Sequence, residues 1–158
     1  MNKYVKIIIA LLICLAVGYS ASTVTRPSVE SWYPTIEKPF FNPPNWVFLP
    51  VWSLLYIFMA VAAGLVWDKI KEQNEEVKKA LGFFLIQLTL NAIWSYLFFG
   101  LKNPLLALIE IALLWLFIYE TYLKFTKINK ISGYLLLPYL AWVAFAAILN
   151  ASIWWLNK

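Results

Sequence analysis

The chain has 158 residues, of which 63% are apolar, 18% aromatic and only 13% charged, and its net charge is +5. Soluble domains average about 45–50% apolar and about 25% charged residues, so the composition excludes an ordinary soluble domain; the scattered cations also exclude a nucleic-acid-binding stripe. The sequence contains no histidine and a single cysteine, Cys14, which excludes an internal disulfide, a Cys/His zinc site, a histidine-ligated haem and imidazole-dependent catalysis.

Five stretches of the chain have the length and apolarity of transmembrane helices. A helix rises about 1.5 Å per residue, so about 20 residues cross a hydrocarbon core about 30 Å thick. Backbone groups that face lipid must bond within their own segment, which favours helices. We predict an all-α membrane protein in which residues 1–158 form a single domain, with helices at about residues 4–24, 46–67, 79–100, 105–124 and 132–156.

The first predicted helix carries a stripe of small residues at every fourth position: Ala10, Cys14, Gly18 and Ser22. Small residues at this spacing let helix backbones approach closely. The stripe indicates a packing face, either inside the bundle or across a dimer. A cleaved signal peptide is an alternative interpretation of this segment, although its apolar run is long for one.

The connection between helices one and two, at about residues 25–45, is long for so short a protein. It contains five prolines and four aromatic residues: Pro27, Pro34, Pro39, Pro43, Pro44, Trp32, Tyr33, Phe40 and Phe41. Prolines lower the entropy that a loop loses when it becomes ordered. We therefore predict a Pro-rich loop that folds back as a lid, with a flexible linker as the alternative.

Helices two, three and five each place aromatic and polar residues on one face, at the spacing i, i+3 or i+4, i+7. The three faces are Trp52, Tyr56, Met59 and Ala63; Gln87, Asn91, Trp94 and Phe98; and Trp142, Phe145, Ala146 and Leu149. Two interpretations fit this pattern: helix packing through interhelical hydrogen bonds, or a cavity for a flat, largely apolar ligand that a few polar groups orient.

The cations are distributed unequally between the two ends of the predicted bundle. Nine lie on the side of the N-terminus and four on the other side: Lys3, Lys6, Lys69, Lys71, Lys78, Lys79, Lys124, Lys127 and Lys130 against Arg26, Lys38, Lys102 and Lys158. Cytoplasmic loops carry the excess of Lys and Arg. The N-terminus is therefore predicted to be cytoplasmic, with the first loop outside.

Three long sequence blocks carry a family resemblance. They are residues 32–52, which begin Trp-Tyr-Pro-Thr-Ile-Glu-Lys-Pro-Phe-Phe-Asn-Pro-Pro; residues 87–95, Gln-Leu-Thr-Leu-Asn-Ala-Ile-Trp-Ser; and residues 137–150, which contain Leu-Pro-Tyr-Leu-Ala-Trp-Val-Ala-Phe-Ala. In these blocks and in the order of its five helices, the chain resembles the tryptophan-rich sensory protein / translocator protein family, also called the peripheral-type benzodiazepine receptor family.

The resemblance implies a five-helix bundle, commonly a homodimer, with a pocket beneath the first loop. Members of this family bind porphyrins such as protoporphyrin IX, benzodiazepine-site ligands and, in animals, cholesterol; some bacterial members are reported to degrade protoporphyrin in light. Carried over by motif, the ligand-binding positions are Trp32, Tyr33, Trp52, Tyr56, Asn91, Trp94, Trp142, Phe145 and Ala146. We expect a receptor or sensor in a bacterial cell membrane that binds a porphyrin; a porphyrin-degrading enzyme, or a carrier of porphyrin or sterol, is the alternative.

The residue inventory narrows the chemistry that the resemblance implies. We expect no metal site and no required cofactor, and a metal-free porphyrin as ligand or substrate, because no histidine is present to ligate a haem iron. Arg26 and Lys38 are the nearest cations for its carboxylates. In the enzyme alternative the porphyrin is degraded in a reaction that needs light and oxygen: the photoexcited porphyrin supplies the reactivity, and Trp52 and Trp142 serve as electron donors. The expected partners are the lipid bilayer, the hydrophobic ligand and a second copy of the chain, not nucleic acid.

One departure from the family pattern concerns sterols. The cholesterol motif of the animal proteins has a tyrosine and an arginine after the Leu-Asn pair of helix five. Here Ala151 and Trp155 stand at those positions, so sterol recognition through this motif is not expected.

Overall fold

A computed structural model describes all of residues 1–158. The chain forms five long helices, which we number α1 (Lys3–Ser31), α2 (Asn45–Trp67), α3 (Asn74–Ser95), α4 (Pro104–Ile128) and α5 (Lys130–Leu156). A 3₁₀ turn, Tyr33–Thr35, follows α1, and a π-helical segment, Tyr96–Gly100, extends α3. Each of the five helices is long and apolar enough to cross a membrane. The predicted all-α membrane fold is therefore confirmed.

Asparagine side chains begin three of the helices. Asn2, Asn103 and Asn129 accept hydrogen bonds from the backbone N–H groups three residues later, at 3.0–3.1 Å. Such caps satisfy N–H groups that lack a partner inside the helix. Asn129 alone separates α4 from α5, and Gly133 lies so close to Thr126 that a Cβ atom would not fit between them. The two helices therefore form a tight antiparallel pair.

The predicted end of the first helix was wrong. Residue 24 was expected to be its last residue, but α1 continues through Pro27 to Ser31, so the connection spans only residues 32–44. Proline removes one backbone hydrogen bond from a helix. Ser28 in the added turns is nevertheless buried, and α1 as a whole contacts the 3₁₀ turn and the π-helical segment. We attribute the continuation of the helix to these tertiary contacts.

Two further helices extend beyond the predicted boundaries. α3 begins at Asn74 instead of residue 79, and α4 ends at Ile128 instead of residue 124. The predicted boundaries lie at Lys79 for the start of α3 and at Lys124 for the end of α4. A lysine does not have to end a helix at this depth, because its side chain can pack its apolar stem while its ammonium group reaches water. Contacts within the protein accommodate Lys124: its Nζ lies 4.1 Å from the centre of the Phe83 ring and donates a 3.0 Å hydrogen bond to Glu120.

The helices form a ring in the order α1, α2, α5, α4, α3, with α2 and α3 also in contact across the interior. Lys6 near the start of α1 pairs with Asp68 after α2 at 3.3 Å, and Asn157 after α5 bonds the backbone of Glu37 in the first loop. The N-terminus therefore shares one end of the bundle with the α2–α3 turn, and the C-terminus shares the other with the first loop.

Part of the small-residue stripe on α1 packs inside the bundle. Ala10 and Cys14 are buried, and a Cβ atom on Gly18 would lie 2.8 Å from the Tyr56 ring. A Cβ atom on Gly64 of α2 would lie 2.7 Å from the backbone Cα of Ile7. The backbones of α1 and α2 are thus in direct contact, and only glycine fits at this crossing.

This crossing predicts the effect of one substitution. Gly64→Val should push α1 away from α2 and lower the free energy of unfolding by about 1–3 kcal/mol, the usual cost of overpacking. Thermal unfolding in detergent, followed by circular dichroism, measures the change. Gly82→Val in α3 is the matched control, since no atom beyond the local backbone of its own helix lies within 4 Å of its Cβ position; equal melting temperatures for the two variants would contradict the assignment.

Candidate ligand-binding site

A chain of hydrogen bonds crosses the interior of the bundle and joins three helices. The Tyr56 hydroxyl of α2 donates to Asn91 Oδ1 of α3 at 2.9 Å, and Asn91 Nδ2 donates to the Tyr139 hydroxyl of α5 at 2.7 Å. Tyr139 in turn donates to Gln87 Oε1 at 2.7 Å, and Gln87 Nε2 points to Met59 Sδ at 3.9 Å. All five residues are buried. We call them the polar chain.

Trp52 packs against the polar chain without a hydrogen bond to it. Its ring centre lies 5.8 Å from that of Tyr56 and 6.4 Å from that of Tyr139. The indole therefore contacts two members of the chain from the side of α2. The side chain is only partly buried.

A second aromatic cluster lies at the end of the bundle that carries the first loop. Trp94 stacks on Phe98 at 5.0 Å, and its Nε1 donates to Asn150 Oδ1 at 2.9 Å. Trp32 meets the edge of Phe98 at 5.6 Å, while Tyr33 is buried in the same cluster. The loop is thus packed onto α3 and α5 through its own aromatic residues.

Hydrogen bonds fasten the first loop in this position. The Tyr33 hydroxyl donates to Asn42 Oδ1 at 2.9 Å, and Lys38 Nζ donates to the carbonyls of Tyr33 and Ile36 at 2.8 and 2.9 Å. Burial raises the pKa of the Tyr33 phenol, although the hydrogen bond with Asn42 partly opposes this effect. The phenol therefore remains a donor at neutral pH, and the loop stays closed on itself.

A groove of about 540 Å³ runs between α2 and α5 below the end of this loop. We call it the α2–α5 groove. Its lining consists of Pro43, Val51, Leu54, Leu55, Phe58, Pro138, Ala141, Trp142 and Phe145. Drug-sized ligands occupy sites of about 300–1,000 Å³ that are mostly apolar and aromatic. The α2–α5 groove has this size and this composition.

Trp142 is the polar element of the groove. Its Nε1 is buried and has no hydrogen-bond partner, whereas Trp94 and Trp115 both donate, to Asn150 and to the carbonyl of Leu140. A buried indole N–H normally finds an acceptor. Aromatic contacts surround the indole: Phe145 at 5.5 Å and Phe48 at 6.1 Å, while Phe41 of the loop reaches Phe145 at 6.2 Å.

A larger groove, of about 750 Å³, lies outside this region. It is formed by Lys38, Pro39, Phe40, Phe41, Leu108, Ile148, Ala151, Ser152, Trp154, Trp155 and Leu156. None of the nine sequence-predicted ligand positions lines it, whereas two of them line the α2–α5 groove. We therefore favour the smaller groove as the candidate site.

The structure separates the nine predicted positions into three groups. Trp142 and Phe145 line the α2–α5 groove. Trp52, Tyr56, Asn91 and Ala146 belong to the interior around the polar chain, and Trp32, Tyr33 and Trp94 belong to the cluster beneath the loop. Phe145 is the link, because it packs against the loop cluster and also lines the groove.

Two kinds of site residue lie outside the set predicted from the sequence. Tyr139 belongs to the polar chain, and a signal for it existed: Tyr139, Val143, Ala146 and Asn150 follow i, i+4, i+7, i+11 and form the inner face of α5. The apolar groove residues, such as Val51 and Leu54, carried no comparable signal, because an apolar side chain that lines a groove resembles one that faces lipid.

Comparisons with a family model and with individual proteins point to the same family. The model of the TspO/MBR family matches residues 10–156. The chain is 45% identical to the tryptophan-rich protein TspO of Chlorobaculum tepidum, with 99% of both chains covered, and 42% identical to the protein of the same name from Archaeoglobus fulgidus, covering 96% of this chain and 97% of that one. It is 33% identical to the translocator protein of Bos taurus, covering 89% of this chain and 83% of the bovine one.

The polar chain predicts a stability effect that is independent of any ligand. Asn91→Leu removes the shared partner of Tyr56 and Tyr139, and an unsatisfied buried hydroxyl costs about 1–3 kcal/mol. We expect the free energy of unfolding to fall by about this amount in denaturant titrations of the detergent-solubilised protein. Thr89→Val is the control, because Thr89 is exposed on the same helix and bonds only the carbonyl of Leu85. A variant as stable as this control would contradict the role of Asn91.

Proposed function

The chain belongs to the TspO/MBR family of multi-pass membrane proteins, and on that premise we propose that it is a membrane receptor that binds a porphyrin of the protoporphyrin type in the α2–α5 groove. One observation carries the proposal: Trp142 and Phe145, two positions that the family motif selects, line a groove of ligand size directly below the first loop. Two flat aromatic side chains suit a flat macrocycle.

The chemistry of the groove supports a ligand that is largely apolar. Its nine lining residues include no charged side chain, and the indole N–H of Trp142 is their only side-chain hydrogen-bond donor. A macrocycle can exchange lipid contacts for contacts with the rings of Trp142, Phe145 and Phe58. The N–H of Trp142, which has no acceptor within the protein, then becomes available to a ligand acceptor after a small rotation of the indole.

The acidic groups of a porphyrin belong, in this proposal, at the end of the groove near Pro43. That end meets the first loop, where the chain leaves the apolar interior. Lys38 in this loop gives two of its three N–H donors to loop carbonyls and retains one for a carboxylate. Arg26 is exposed on the last turns of α1 and is a second cation at this end.

The orientation in the cell membrane is part of the proposal. The end of the bundle with the N-terminus, the α2–α3 turn and Asn129 has nine of the thirteen Lys and Arg residues. The positive-inside rule places that end in the cytoplasm and the first loop outside. We further propose a homodimer, the assembly that the family resemblance implies.

A binding titration tests the proposed site. Trp142→Ala should raise the Kd for protoporphyrin IX at least about tenfold, since loss of a buried tryptophan anchor often costs about 2 kcal/mol. The porphyrin absorbance and fluorescence report binding to detergent-solubilised protein in darkness. Trp155→Ala is the matched control, because Trp155 is exposed and lines only the larger groove; equal Kd values for the two variants would reject the site.

Illumination of the same samples separates the receptor from the enzyme alternative. If the protein is a receptor without turnover, at most one porphyrin per protein should be bleached. Porphyrin bound to Trp142→Phe should then bleach no more slowly than porphyrin bound to the wild-type protein. Loss of the porphyrin absorbance over many turnovers in the presence of oxygen as the oxidant, abolished by Trp142→Phe, would instead assign an enzymatic role with Trp142 as an electron donor beside the ligand.

A further inference from the structure

The α2–α5 groove opens towards lipid, whereas the loop above it is fastened. From this we infer that the ligand enters and leaves sideways, from the bilayer through the seam between α2 and α5, without the first loop opening. The inference rests on the proposed function and adds to it the route and the class of ligand: a molecule that has already partitioned into the membrane.

The lipid side of the groove is formed by exposed apolar residues. Leu54 of α2 is 50% exposed and Ala141 of α5 is exposed, yet both line the groove. Along α2 the lining runs from Val51 to Phe58, about 10 Å at about 1.5 Å per residue. This length is about one third of a hydrocarbon core about 30 Å thick, so the groove meets acyl chains along its side.

On the water side, contacts along the first loop hold it in place. Asn157 after α5 accepts from the Glu37 backbone N–H at 3.0 Å and donates to the Glu37 carbonyl at 2.8 Å. The hydrogen bonds of Tyr33 and Lys38 hold the segment between, and Phe41 rests against Phe145. A ligand that arrived from water would have to break several of these contacts together.

The seam between α2 and α5 lacks such fastenings. No side-chain hydrogen bond joins the two helices directly; the polar chain connects them only through Gln87 and Asn91 of α3. Pro50 and Pro138 interrupt the backbone ladders of the two helices beside the groove, and prolines allow a helix to bend locally. The walls can therefore part by exchanging apolar protein contacts for equivalent contacts with lipid or ligand, while the polar chain stays bonded.

Two crosslinks, each made in a Cys14→Ala background, distinguish the routes. The lid lock joins Glu37→Cys to Asn157→Cys, two exposed positions already in contact. The seam lock joins Leu54→Cys to Ala141→Cys, across the lipid side of the groove. A short bis-methanethiosulfonate reagent closes each pair, and a thiol reductant reopens it. The uncrosslinked double variants serve as controls.

The measurement is the rate at which protoporphyrin IX, delivered from phosphatidylcholine vesicles, binds to and leaves the reconstituted protein. The seam lock should slow both association and dissociation at least about tenfold, as closing a gate does, and reduction should restore both rates; the lid lock should change neither. The inference would be overturned if the lid lock slowed the association and dissociation of protoporphyrin IX while the seam lock left both rates fast. Failure of the unlocked protein to bind at all would instead reject the proposed function.

Discussion

Hydrocarbon offers no hydrogen-bond partner, so a polar side chain inside the bundle is costly unless it finds a partner within the protein. The polar chain meets this constraint: Tyr56 bonds Asn91, and Asn91 bonds Tyr139, across three helices. Because these groups are costly to leave unpaired, they determine which face each helix turns inward. The remaining features of the site follow from that rotation. With Tyr139 and Val143 turned inward on α5, Ala141, Trp142 and Phe145 come to line the groove beside α2.

The same constraint explains why the predicted site residues do not surround one closed cavity. Gln87 and Asn91 are buried and bonded to side chains of the protein itself, so the centre of the bundle is occupied by its own hydrogen bonds. The open volume lies to one side, where the lining is apolar and only the Trp142 N–H lacks a partner. The polar chain, which stabilises the fold, and the α2–α5 groove, which is proposed to bind the ligand, therefore lie on adjacent but different faces of the same helices. A substitution can change the stability of the protein without changing ligand binding, or the reverse.

Much of this architecture could be predicted from the sequence, because charge-free runs of about 20 residues and the requirement for satisfied backbone groups leave few alternatives. The extension of α1 beyond Pro27 could not, since proline ordinarily interrupts a helix and the burial of Ser28 in the added turns depends on the tertiary fold. On α5, helical periodicity identified an aromatic face but not its rotation: Trp142 and Phe145 border the groove, while Tyr139 occupies the interior. Which face of α5 turns inward depends on the hydrogen bond between Tyr139 and Asn91 of α3. The sequence of α5 alone does not indicate this partner.

Binding in the α2–α5 groove requires the polar chain to remain intact while a ligand occupies the groove beside it. An experimental structure of the protein with protoporphyrin IX bound tests this most directly. We expect the macrocycle against Trp142 and Phe145, with the hydrogen bonds of Asn91 to Tyr56 and Tyr139 preserved. A macrocycle located between α2, α3 and α5, with Asn91 released from both tyrosines, would contradict the account.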